Sequence, residues 1–500
     1  MSDNLKVLLI GNGAREHCIA EAIVNSNSFN AKLFSLMSSK NPGVSELVEK
    51  SGGNFYIGKL DSENAVKIAE QFNFDLAMIG PEAPLALGVA DALRKKGILV
   101  LGPNKNAARI ETSKGFAREL LKKYEIKGFS EFSYPDFRVF DHFDRGNHDS
   151  INSSISSLSD IKDYLKKLKQ LGQDYVLKPD GLTGGKGVKV KGEHFFTDHE
   201  ALNYCSEVLS QSSESKIVIE EKLDGEEFSL QCFVDGKNVA AMPPVQDHKR
   251  AFADDSGSNT GGMGSYSYPD NLPFLSQHDI DEAVLIVQRT VDAMNKEGID
   301  FRGVLYGGFI AGKNSVKLIE YNARFGDPEA MNVIPLINTL SDNSDNSRSF
   351  LDICIDVAQG DLNNKTNKMV NKIRFDKKAT VCKYLVPEGY PDSPVGNEKI
   401  TVDMKVDTKN MNNKSDKKNN GCENSPRFYW SSVSEKEDGI YSSNSRTIAV
   451  LGIHENIEEA ENIAQRGVES VKGKLRYRRD VGTKHLIQKR MDHMKRLRGV

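Results

Sequence analysis

The sequence predicts a multidomain protein of the α/β and α+β classes, and three features support that prediction. Short apolar strands alternate with helices between residues 6 and 102. From about residue 110 this alternation gives way to pairs of strand-like segments around glycine-rich loops. A last strand and helix follow two polar breaks. A chain of 500 residues is long enough for two to four domains, each with its own core.

The N-terminal region alternates strand and helix regularly. The predicted strands are KVLLIG (6–11), AKLFSL (31–36), DLAMIG (75–80) and ILVLG (98–102), and the predicted helices are REHCIAEAIVNS (15–26), SENAVKIAEQF (62–72) and GVADALRKKG (88–97). Such alternation is typical of parallel βαβ units, which bind ligands at the carboxyl ends of their strands.

The middle region is predicted to be α+β with antiparallel sheet. Its predicted elements are a helix at 112–124, a hairpin around a glycine-rich loop at 175–192, two strands within 216–237 and a strand pair at 301–322 that turns at 312–314. The segment at 141–159 is rich in serine and aspartate, which indicates an exposed insertion.

The C-terminal region contains two polar breaks, at 341–349 and 403–425. The second is poor in apolar residues, so we expect it to be disordered. TIAVLGI (447–453) predicts a strand, and a helix follows from about residue 455. The basic tail after it favours a solvated helix face over an RNA-binding segment, because no aromatic stacking pattern accompanies the charges.

Composition excludes several classes of protein. A formal net charge of −3 gives no support for nucleic acid as a partner. No apolar run approaches the roughly 20 residues that span a bilayer, and the first residues lack the features of a leader peptide. The six cysteines show no C-x-x-C spacing, so neither a disulfide framework nor a structural zinc site is expected. We therefore expect a cytoplasmic protein that does not bind membranes.

Two turns in the N-terminal region favour an anionic ligand. GNGAREH (11–17) follows the first strand and opens a helix, where glycines and the helix dipole suit an anion. Glu16 stands where the dinucleotide fingerprint requires glycine, which disfavours NAD. Glu82, in IGPEAPLALG (79–88), follows another strand of the same sheet. Together the turns suggest a sugar phosphate, although packing alone also explains such turns.

The loop KPDGLTGGKGV (178–188) is not a Walker A element, since its glycine spacing is one residue short and Gly187 replaces the Ser/Thr. Strands on both sides favour a mobile hairpin that closes over phosphates, with Lys178 and Lys186 as point charges. An ordinary glycine-rich hairpin is the alternative. Likewise, the glutamates of VIEEKLDGEEFS (218–229) are either solvated or accept hydrogen bonds from an adenine amine and a ribose.

The strand in VKLIEYNARFGDPEA (316–330) carries polar residues at alternate positions. Glu320, Asn322 and Arg324 are predicted to share one face, with Ile319, Tyr321 and Ala323 directed into a core. A carboxylate and an amide oxygen suit Mg²⁺, and an arginine beyond them can hold a carboxylate or phosphate. A half-exposed strand with a wet polar face is the alternative.

The order of these motifs carries a resemblance. GNGAREH, GPEAPL, KPDGLTGGKGV, EEKLDGEE, QDHKR, NTGGMG and EYNARFGDPE closely resemble the phosphoribosylamine–glycine ligases (glycinamide ribonucleotide synthetases), an ATP-grasp family of purine biosynthesis. The resemblance covers most of residues 5–335. It implies a Rossmann-like N-terminal (pre-ATP-grasp) domain at 1–108, a two-part ATP-grasp domain at 109–338 with a mobile lid at about 125–220, and a small C-terminal α+β domain at 339–500.

The resemblance also implies roles for individual residues. The residues expected to bind ATP are Lys114, Lys178, Gly184, Gly185, Lys186, Gly187, Glu220, Glu221, Leu223, Glu227, Arg250 and Asn259. The residues expected to bind the phosphoribosylamine or glycine are Gly11, Asn12, Gly13, Glu82, Asp247, Arg324, Gly326 and Asp327. Arg324, Asp247 and Arg250 are the catalytic candidates, and Glu320 and Asn322 would bind Mg²⁺ or Mn²⁺.

The implied reaction joins glycine to 5-phosphoribosylamine through glycyl phosphate, with ATP converted to ADP and phosphate. It needs no nucleophilic side chain, only positioning and neutralisation of charge. Tyr306 stands where ATP-grasp relatives often carry a further carboxylate, which leaves the number of metal ions open. The alternatives are another ATP-grasp carboxylate–amine ligase and, more remotely, a non-catalytic ATP-binding protein. A monomer or weak homo-oligomer is expected.

Overall fold

The computed structural model describes residues 4–141, 158–182, 187–337, 348–362, 373–403 and 424–499. The expected insertion at 141–159, the expected disordered segment at 403–425 and the polar break at 341–349 lie largely outside these residues. The expected phosphate-loop residues Gly184, Gly185 and Lys186 lie outside them as well.

The N-terminal region forms a parallel sheet in the strand order β3-β2-β1-β4-β5. Its strands are β1 (Asn4–Ile10), β2 (Asn30–Met37), β3 (Phe55–Ile57), β4 (Leu76–Ile79) and β5 (Leu99–Leu101), and its helices are α1 (Ala14–Val24), α2 (Pro42–Lys50), α3 (Ser62–Gln71), α4 (Glu82–Ala86) and α5 (Val89–Lys95). The predicted strands and long helices are confirmed. The short elements α2, α4 and β3 were not predicted.

Local sequence explains where the unpredicted helix α2 begins. The Asn41 side chain accepts hydrogen bonds from the backbone N–H groups of Gly43 and Val44, and Pro42 occupies the first helical position. Asparagine at the cap and proline directly after it are favourable at a helix start. The signal was therefore present in the sequence, in residues 41–42.

The middle region contributes strands to two larger sheets. Its helices are α6 (Arg109–Thr112), α7 (Lys114–Lys123), α8 (Leu158–Gln170), α9 (Asp198–Leu209), α10 (Gln277–Lys296) and α11 (Glu329–Val333). Its strands are β6 (Phe137–Asp141), β7 (Tyr175–Pro179), β8 (Lys189–Val190), β9 (Lys216–Glu221), β10 (Glu226–Asp235), β11 (Val239–Ala241), β12 (Val245–Asp247), β13 (Arg250–Phe252), β14 (Ser256–Asn259), β15 (Gly264–Ser267), β16 (Arg302–Ala311) and β17 (Val316–Asn322).

The predicted strand pair at 216–237 divides between those two sheets. β9 lies in a four-stranded sheet of order β6-β9-β7-β8, whereas β10 pairs with β16 in a ten-stranded sheet. The predicted pair β16–β17 is confirmed as antiparallel. The chain therefore crosses between the sheets at 222–225, and the expected ATP site is the cleft on either side of this crossing.

The C-terminal region extends the ten-stranded sheet. Its helices are α12 (Phe350–Gln359), α13 (Ile457–Ser470) and α14 (Lys484–Arg498), and its strands are β18 (Ala379–Pro387), β19 (Lys399–Val402), β20 (Arg427–Trp430), β21 (Val433–Lys436), β22 (Gly439–Ser442), β23 (Ile448–His454), β24 (Val471–Lys472) and β25 (Leu475–Arg476). The sheet runs β17-β16-β10-β12-β15-β18-β23-β20. Backbone hydrogen bonds between β15 and β18 thus join the middle and C-terminal regions.

One prediction about the β17 strand is wrong. Gly308 pairs with Glu320 and Phe309 pairs with Leu318, so Ile319 is an extra residue in the ladder, a β-bulge. Val316 and Leu318 are buried before the bulge, and Tyr321 and Ala323 are buried after it. Because the bulge shifts the alternation by one residue, Ile319 stays outside the core, and its carbonyl faces polar groups.

The prediction of a solvated basic tail is also wrong in part. Arg478 is buried and pairs with Asp255 and Asp480. Arg498 holds Asp279 with two hydrogen bonds at 2.7 and 3.0 Å. These charges attach the C-terminal end to the middle region, which the sequence pattern did not reveal.

None of the helices in the described ranges is long and apolar enough to cross a membrane. The five cysteines within those ranges are all buried and free.

Candidate active site

The N-terminal site lies where the strand order of the parallel sheet reverses. β1 lies between β2 and β4, and the turns after β1 and β4 therefore open onto one crevice. Gly11, Asn12 and Gly13 form the first turn, and Glu82 begins α4 after the second. The sequence prediction placed these residues in one site, and the structure brings them to one edge of the sheet.

Glu16 occupies the centre of this crevice. Its carboxylate accepts hydrogen bonds from the Gly13 N–H at 2.5 Å and from the Arg15 Nε at 2.6 Å. A Cβ atom at Gly80 would lie 2.0 Å from the Glu16 Oε1, and one at Gly11 would lie 2.7 Å from its Cγ. The glycines are therefore required to accommodate Glu16, a role that sequence reasoning missed.

This arrangement corrects one expectation about the first turn. The Gly13 N–H is engaged by Glu16, and the Gly11 N–H donates to the Leu36 carbonyl at 3.0 Å. Both donors were expected to face an anion, and both already have partners. Asn12 bonds to the loop after β2 through Ser38 and Ser39. Its side chain, half-buried, forms the outer wall of the crevice.

A row of alternating charges lies beside β17. The Lys249 Nζ is 3.5 Å from the Glu320 Oε1 and 3.9 Å from the Glu227 Oε2. Burial favours the neutral form of Glu320, but Lys249 and Lys178 outweigh it and hold the pKa of that carboxyl below its ordinary value. The pKa of Lys249 is raised, because the carboxylates outweigh the effect of burial. Glu320 and Lys249 therefore each favour the charged form of the other.

Glu220 is the centre of a buried ion-pair cluster. Its oxygens accept from the Arg118 Nε at 2.6 Å and the Lys178 Nζ at 2.6 Å. Burial alone would raise its pKa, but the two cations lower it to about 2. Arg118 and Lys178 also donate to the carbonyl of Ile319, at 2.7 and 3.2 Å. The β-bulge thus joins the two sheets at the bottom of the cleft.

The other predicted ATP residues surround this cluster. Lys114 donates to the Gly181 carbonyl at 2.8 Å at the start of the glycine-rich loop. The Gly187 carbonyl accepts from the Tyr204 hydroxyl at 2.7 Å. Glu221 pairs with Lys317 at 3.2 Å, and Leu223 is half-buried in the crossing between the sheets.

Arg250 and Asn259 lie on the small β13–β14 sheet, where they are paired in register. Arg250 donates to the Gly257 carbonyl at 3.0 Å and forms an ion pair with Glu193, which follows β8. The structure therefore connects Arg250 to the four-stranded sheet across the cleft.

Arg324 lies between two carboxylates. Its Nη2 is 3.0 Å from the Glu111 Oε1, and its Nε is 3.3 Å from the Glu82 Oε2. Both carboxylates outweigh burial and raise the pKa of Arg324. Burial raises the pKa of Glu111, whereas Arg324 and Arg15 outweigh burial at Glu82 and lower its pKa. Arg324 thus connects the N-terminal crevice to the end of β17.

Two neighbouring carboxyl groups, those of half-buried Asp247 and buried Glu329, lie at this end of the cleft, with Glu329 near Arg324. Burial and the neighbouring Glu329 raise the pKa of Asp247 well above its ordinary value, and burial also raises the pKa of Glu329. Glu329 accepts from the Tyr306 hydroxyl at 2.9 Å. The Asp247 Oδ1 is buried and has no hydrogen-bond partner among the described residues. A Cβ at Gly262 would fall 2.8 Å from that oxygen, so the NTGGMG turn needs glycine there.

The Gly-Asp-Pro turn is held from three directions. The Gly326 N–H donates to the Gln231 Oε1 at 2.8 Å, and Arg15 donates to the Phe325 carbonyl at 3.0 Å. Asp327 accepts from the Tyr384 hydroxyl at 2.6 Å and pairs with Arg446 at 3.2 Å. Every region of the chain therefore contacts this turn.

The residues at the end of β17 fit a divalent cation. Glu320 is ionised, and its described contact with Lys249, at 3.5 Å, is long for a hydrogen bond. The Asn322 Oδ1 accepts only one long contact, from Arg324 at 3.3 Å, among the described residues. No group of three His, Cys, Asp or Glu side chains within the described ranges could hold a metal ion. Two protein oxygens leave room for substrate phosphates and water, which is the coordination that Mg²⁺ prefers.

Several site residues were missed by sequence reasoning: Arg15, Glu16, Glu111, Arg118, Lys249, Tyr384 and Arg446. Glu329 was expected only as the last residue of the turn that begins at Gly326. Lys249 lies inside the QDHKR motif, so the motif itself was an available signal. Arg446 and Tyr384 lie more than fifty positions from Asp327, and nothing in their local sequence marks them.

Comparison with known proteins identifies the family. The family models for the N, ATP-grasp (A) and C domains of phosphoribosylglycinamide synthetase match residues 5–111, 112–330 and 380–484. The chain belongs to the phosphoribosylglycinamide synthetase family. The three-domain α/β and α+β architecture predicted from the sequence is that of this family, and the chain is an ATP-grasp ligase.

Full-length relatives of the phosphoribosylglycinamide synthetase family agree with this assignment. A phosphoribosylamine–glycine ligase of Methanocella arvoryzae is 42% identical over 500 residues, which cover 99% of this chain and 100% of the relative. One of Methanosarcina barkeri is 45% identical over 498 residues, with the same coverage.

Solved structures agree at the level of the fold. The phosphoribosylamine–glycine ligase of Thermotoga maritima has a TM-score of 0.71 and is 25% identical, with 95% of this chain and 100% of that chain covered. A biotin carboxylase of Campylobacter jejuni has a TM-score of 0.63 at 13% identity, with 98% and 95% covered, which shows a shared fold alone. Ligases of the ATP-grasp family use ATP and divalent metal ions.

Proposed function

We propose that the protein ligates glycine to 5-phosphoribosylamine with ATP, giving glycinamide ribonucleotide, ADP and phosphate in de novo purine (IMP) biosynthesis. Family membership and full-length similarity to phosphoribosylamine–glycine ligases support this. The observation that carries the proposal is the convergence of Glu320, Lys249 and Arg324 between the N-terminal crevice and the cleft of the two sheets.

The first step activates glycine. One oxygen of its carboxylate attacks the γ-phosphorus of ATP, and the bond to the bridging oxygen of ADP breaks. Negative charge increases on the transferred phosphoryl group and on ADP, so cations held in place beforehand accelerate the step. Lys249 has a raised pKa, and both Lys178 and Lys249 are held by carboxylates close to β17. Burial lowers the pKa of Lys178, and its ion pair with Glu220 opposes that effect. We assign the phosphates to these lysines, to Lys114 and to the loop that contains Lys186.

The second step joins the two substrates. The amine nitrogen of phosphoribosylamine attacks the carbonyl carbon of glycyl phosphate, phosphate leaves with the bonding electrons, and the proton lost by the nitrogen passes to the leaving phosphate. Asp247 and Glu329 form a carboxyl pair of raised pKa, with Glu329 near Arg324. We assign glycine and its acyl phosphate to Asp247, Arg324 and the turn at Gly326 and Asp327, with Asp247 aimed at the glycine amine.

The adenosine part of ATP is assigned to the segment at 222–225, where the chain crosses between the two sheets. The Glu220 carboxylate already forms ion pairs with Arg118 and Lys178, so we propose that it positions Lys178 and does not contact ATP itself. We propose that Glu221 and Leu223 border the adenine. Glu227 is exposed, and beside its long contact with Lys249 at 3.9 Å it can accept a hydrogen bond from a ribose hydroxyl. Arg250 and Asn259 would reach the phosphates from the opposite wall.

Phosphoribosylamine is assigned to the N-terminal crevice, beside Glu82 and against the Gly11–Gly13 turn, whose Gly11 and Gly13 N–H groups already have partners within the protein. The contact with Arg324 helps to lower the pKa of Glu82, so its carboxylate can accept a hydrogen bond from a ribose hydroxyl.

Mg²⁺, or Mn²⁺, would be held by Glu320 and Asn322 and would supply neutralisation of phosphate charge. We further propose a cytoplasmic enzyme, monomeric or weakly associated, with domains at 1–108, 109–338 and 339–500 and a lid at about 125–220.

The test is ADP release with Mg²⁺-ATP, glycine and freshly generated phosphoribosylamine, omitting each component in turn. We expect release only when all three are present. Glu320→Gln should abolish it, whereas the matched change Glu297→Gln should not, because Glu297 pairs with the exposed Lys123 and with none of the residues assigned to ATP, glycine or phosphoribosylamine.

If ADP is still released when another acid replaces glycine or another amine replaces phosphoribosylamine, the protein is an ATP-grasp ligase with a different substrate. No release with any acceptor, together with tight ATP binding, would favour a non-catalytic ATP-binding protein.

A further inference from the structure

A second cavity lies away from the proposed active site, at the junction of the N-terminal sheet and the ten-stranded sheet. Its volume is about 330 Å³, which is within the usual size of a small-molecule site. Its walls come from α5, β5, the first residues of β16 and the end of α12. A backbone hydrogen bond joins the two sides of this junction, from the Gly102 N–H to the Arg302 carbonyl at 3.2 Å.

Two arginines line this cavity, one from each side of the junction. Arg94 donates through Nη2 alone, to the carbonyls of Val100 and Gly102 at 3.0 and 2.7 Å. Arg302 donates through Nε to Asp300 at 2.9 Å and through Nη1 to the Ala358 carbonyl at 3.1 Å. The Nη1 and Nε of Arg94 and the Nη2 of Arg302 make no hydrogen bond with any described residue.

The arginines are close enough to repel each other. Burial lowers the pKa of Arg94, Asp91 opposes that effect, and Arg302 adds to it. Asp300 is the one acidic residue lining the cavity among the described residues, and it is exposed. Asp91 already accepts a hydrogen bond from the Lys105 N–H at 2.8 Å. The lining residues therefore carry two positive charges and one negative charge, with the Asp91 carboxylate near Arg94 outside the lining, and some guanidinium donors remain unused.

The rest of the lining is apolar or amide. Ile98, Leu99, Val100 and Ala358 supply apolar surface, and Asn104 supplies an amide next to the arginines. Planar guanidinium groups hold phosphate oxygens in pairs, whereas apolar walls suit the organic part of a ligand. The cavity is larger than a bare phosphate ion requires.

We propose that this cavity binds a small phosphate-bearing anion, with the phosphate between Arg94 and Arg302 and the organic group against the wall of β5. The ligand would connect the N-terminal region to the ten-stranded sheet at a point separate from the residues assigned to catalysis. This inference is independent of the proposed ligase activity, since none of its residues belongs to that site.

The test is equilibrium titration with inorganic phosphate, and separately with AMP, while a non-hydrolysable ATP analogue and Mg²⁺ fill the nucleotide site. We expect Arg302→Met to weaken binding at least about tenfold, because a charge-assisted bond is lost. We expect Asp300→Asn to tighten binding about threefold, since it removes the carboxylate that competes for Arg302. Tighter binding of AMP than of phosphate would identify an organic phosphate as the ligand, and equal binding would identify phosphate itself.

Arg289→Met is the matched control. Arg289 also donates to two backbone carbonyls, those of Lys127 and Gly128, at 2.8 and 2.7 Å, but outside this cavity. It should leave the titration unchanged. Identical binding by the wild type, Arg302→Met and Asp300→Asn would overturn the proposal, because arginines that serve only the backbone would show this result.

A measurement on the unaltered protein covers the case in which Arg302→Met does not fold. Arginines are modified with butanedione, and the modified peptides are quantified with and without phosphate or AMP. We expect protection of Arg94 and Arg302 but not of Arg289. Equal modification of all three in the presence of either anion would contradict the proposal.

Discussion

At the scale of single residues, the site consists of charged side chains that form ion pairs with side chains of opposite charge. Arg324 is fixed by Glu111 on the inner side and by Glu82 on the side of the N-terminal crevice. Glu220 fixes Lys178, and Glu320 and Glu227 fix Lys249. Cations that are already oriented need little reorganisation when charge develops on the substrates, which is how such sites accelerate phosphoryl and acyl transfer.

Arg324→Lys tests whether geometry or charge matters at this position. A lysine keeps the charge but cannot contact Glu111, Glu82 and a substrate oxygen at once. We expect kcat to fall about 100-fold, which corresponds to about 2.7 kcal/mol, with a smaller change in the KM for ATP. Steady-state ADP release measures both. A kcat near that of the wild type would mean that Arg324 acts only as a point charge.

Glu220→Gln tests the buried ion-pair cluster. The pKa of Glu220, about 2, lies below its ordinary value of 4.5, so its contribution to stability is full above about pH 4.5 and is lost as the pH falls towards 2. Removing the charge leaves Arg118 and Lys178 buried without their partner. We expect the free energy of unfolding at pH 7 to fall by about 3–5 kcal/mol.

The measurement for Glu220→Gln is urea denaturation. The control is Glu70→Gln, which breaks the exposed pair with Lys96. Exposed pairs contribute about 0–1 kcal/mol, so the midpoint should hardly move. Equal effects of the two changes would show that the Glu220 cluster is solvated in solution.

At the scale of elements, helix α1 connects the N-terminal sheet to the C-terminal strand β20. The His17 Nδ1 accepts a hydrogen bond from the Trp430 N–H at 3.0 Å, and the His17 ring meets the Tyr429 ring edge-on at 5.4 Å. Tyr429 also donates to Glu21 at 2.7 Å. One helix therefore presents Glu16 to the crevice and, on its other face, docks a strand more than 400 positions away.

His17 should make this docking sensitive to acid. Burial lowers its pKa to about 4 from the ordinary value of 6.5, so the unfolded chain takes up a proton before the folded protein does. Stability is therefore full above about pH 6.5 and decreases as the pH falls towards 4. We expect a loss of about 2 kcal/mol between pH 7 and pH 5 from this residue.

Fluorescence of Trp430, the chain's single tryptophan, follows this transition during urea denaturation. His17→Asn should remove this part of the pH dependence. His485→Asn should leave it unchanged, since His485 is 81% exposed. The same pH dependence in His17→Asn as in the wild type would rule out His17 as its source.

At the scale of the whole molecule, one ten-stranded sheet runs from β17 to β20 and so through two of the three family domains. Because β15 and β18 pair along this sheet, Tyr384 and Arg446 reach the Gly-Asp-Pro turn from the C-terminal region. Arg446 also donates to the carbonyls of Gly261 and Gly262 at 2.6 and 3.2 Å. The C-terminal region thus contributes side chains to the candidate site.

Arg446→Met tests this coupling. It removes the ion pair with Asp327 and three hydrogen bonds to backbone carbonyls, so the turn loses its support. We expect ligase turnover to fall about 100-fold while ADP affinity changes less than about threefold, because the nucleotide cleft is formed by other elements. Turnover and ADP affinity are measured on the same preparation. A proportional loss of both would indicate general unfolding.

The sequence by itself determined many of the elements, although not α2, α4, β3 or the long helix α10, and much of the chemistry. Apolar periodicity placed β1, β4 and β17, turn residues placed the glycine loops, and polar alternation marked Glu320 and Asn322. These signals are local, since a strand or a turn is specified within a few residues. Tertiary structure decided the rest: the bulge at Ile319 that turns its carbonyl towards Arg118, the contact of Glu111 with Arg324, and the contacts of Arg15 and Arg446 with the Gly-Asp-Pro turn. Such contacts join positions far apart in the chain, and they exist only once the sheets have assembled and placed distant strands side by side.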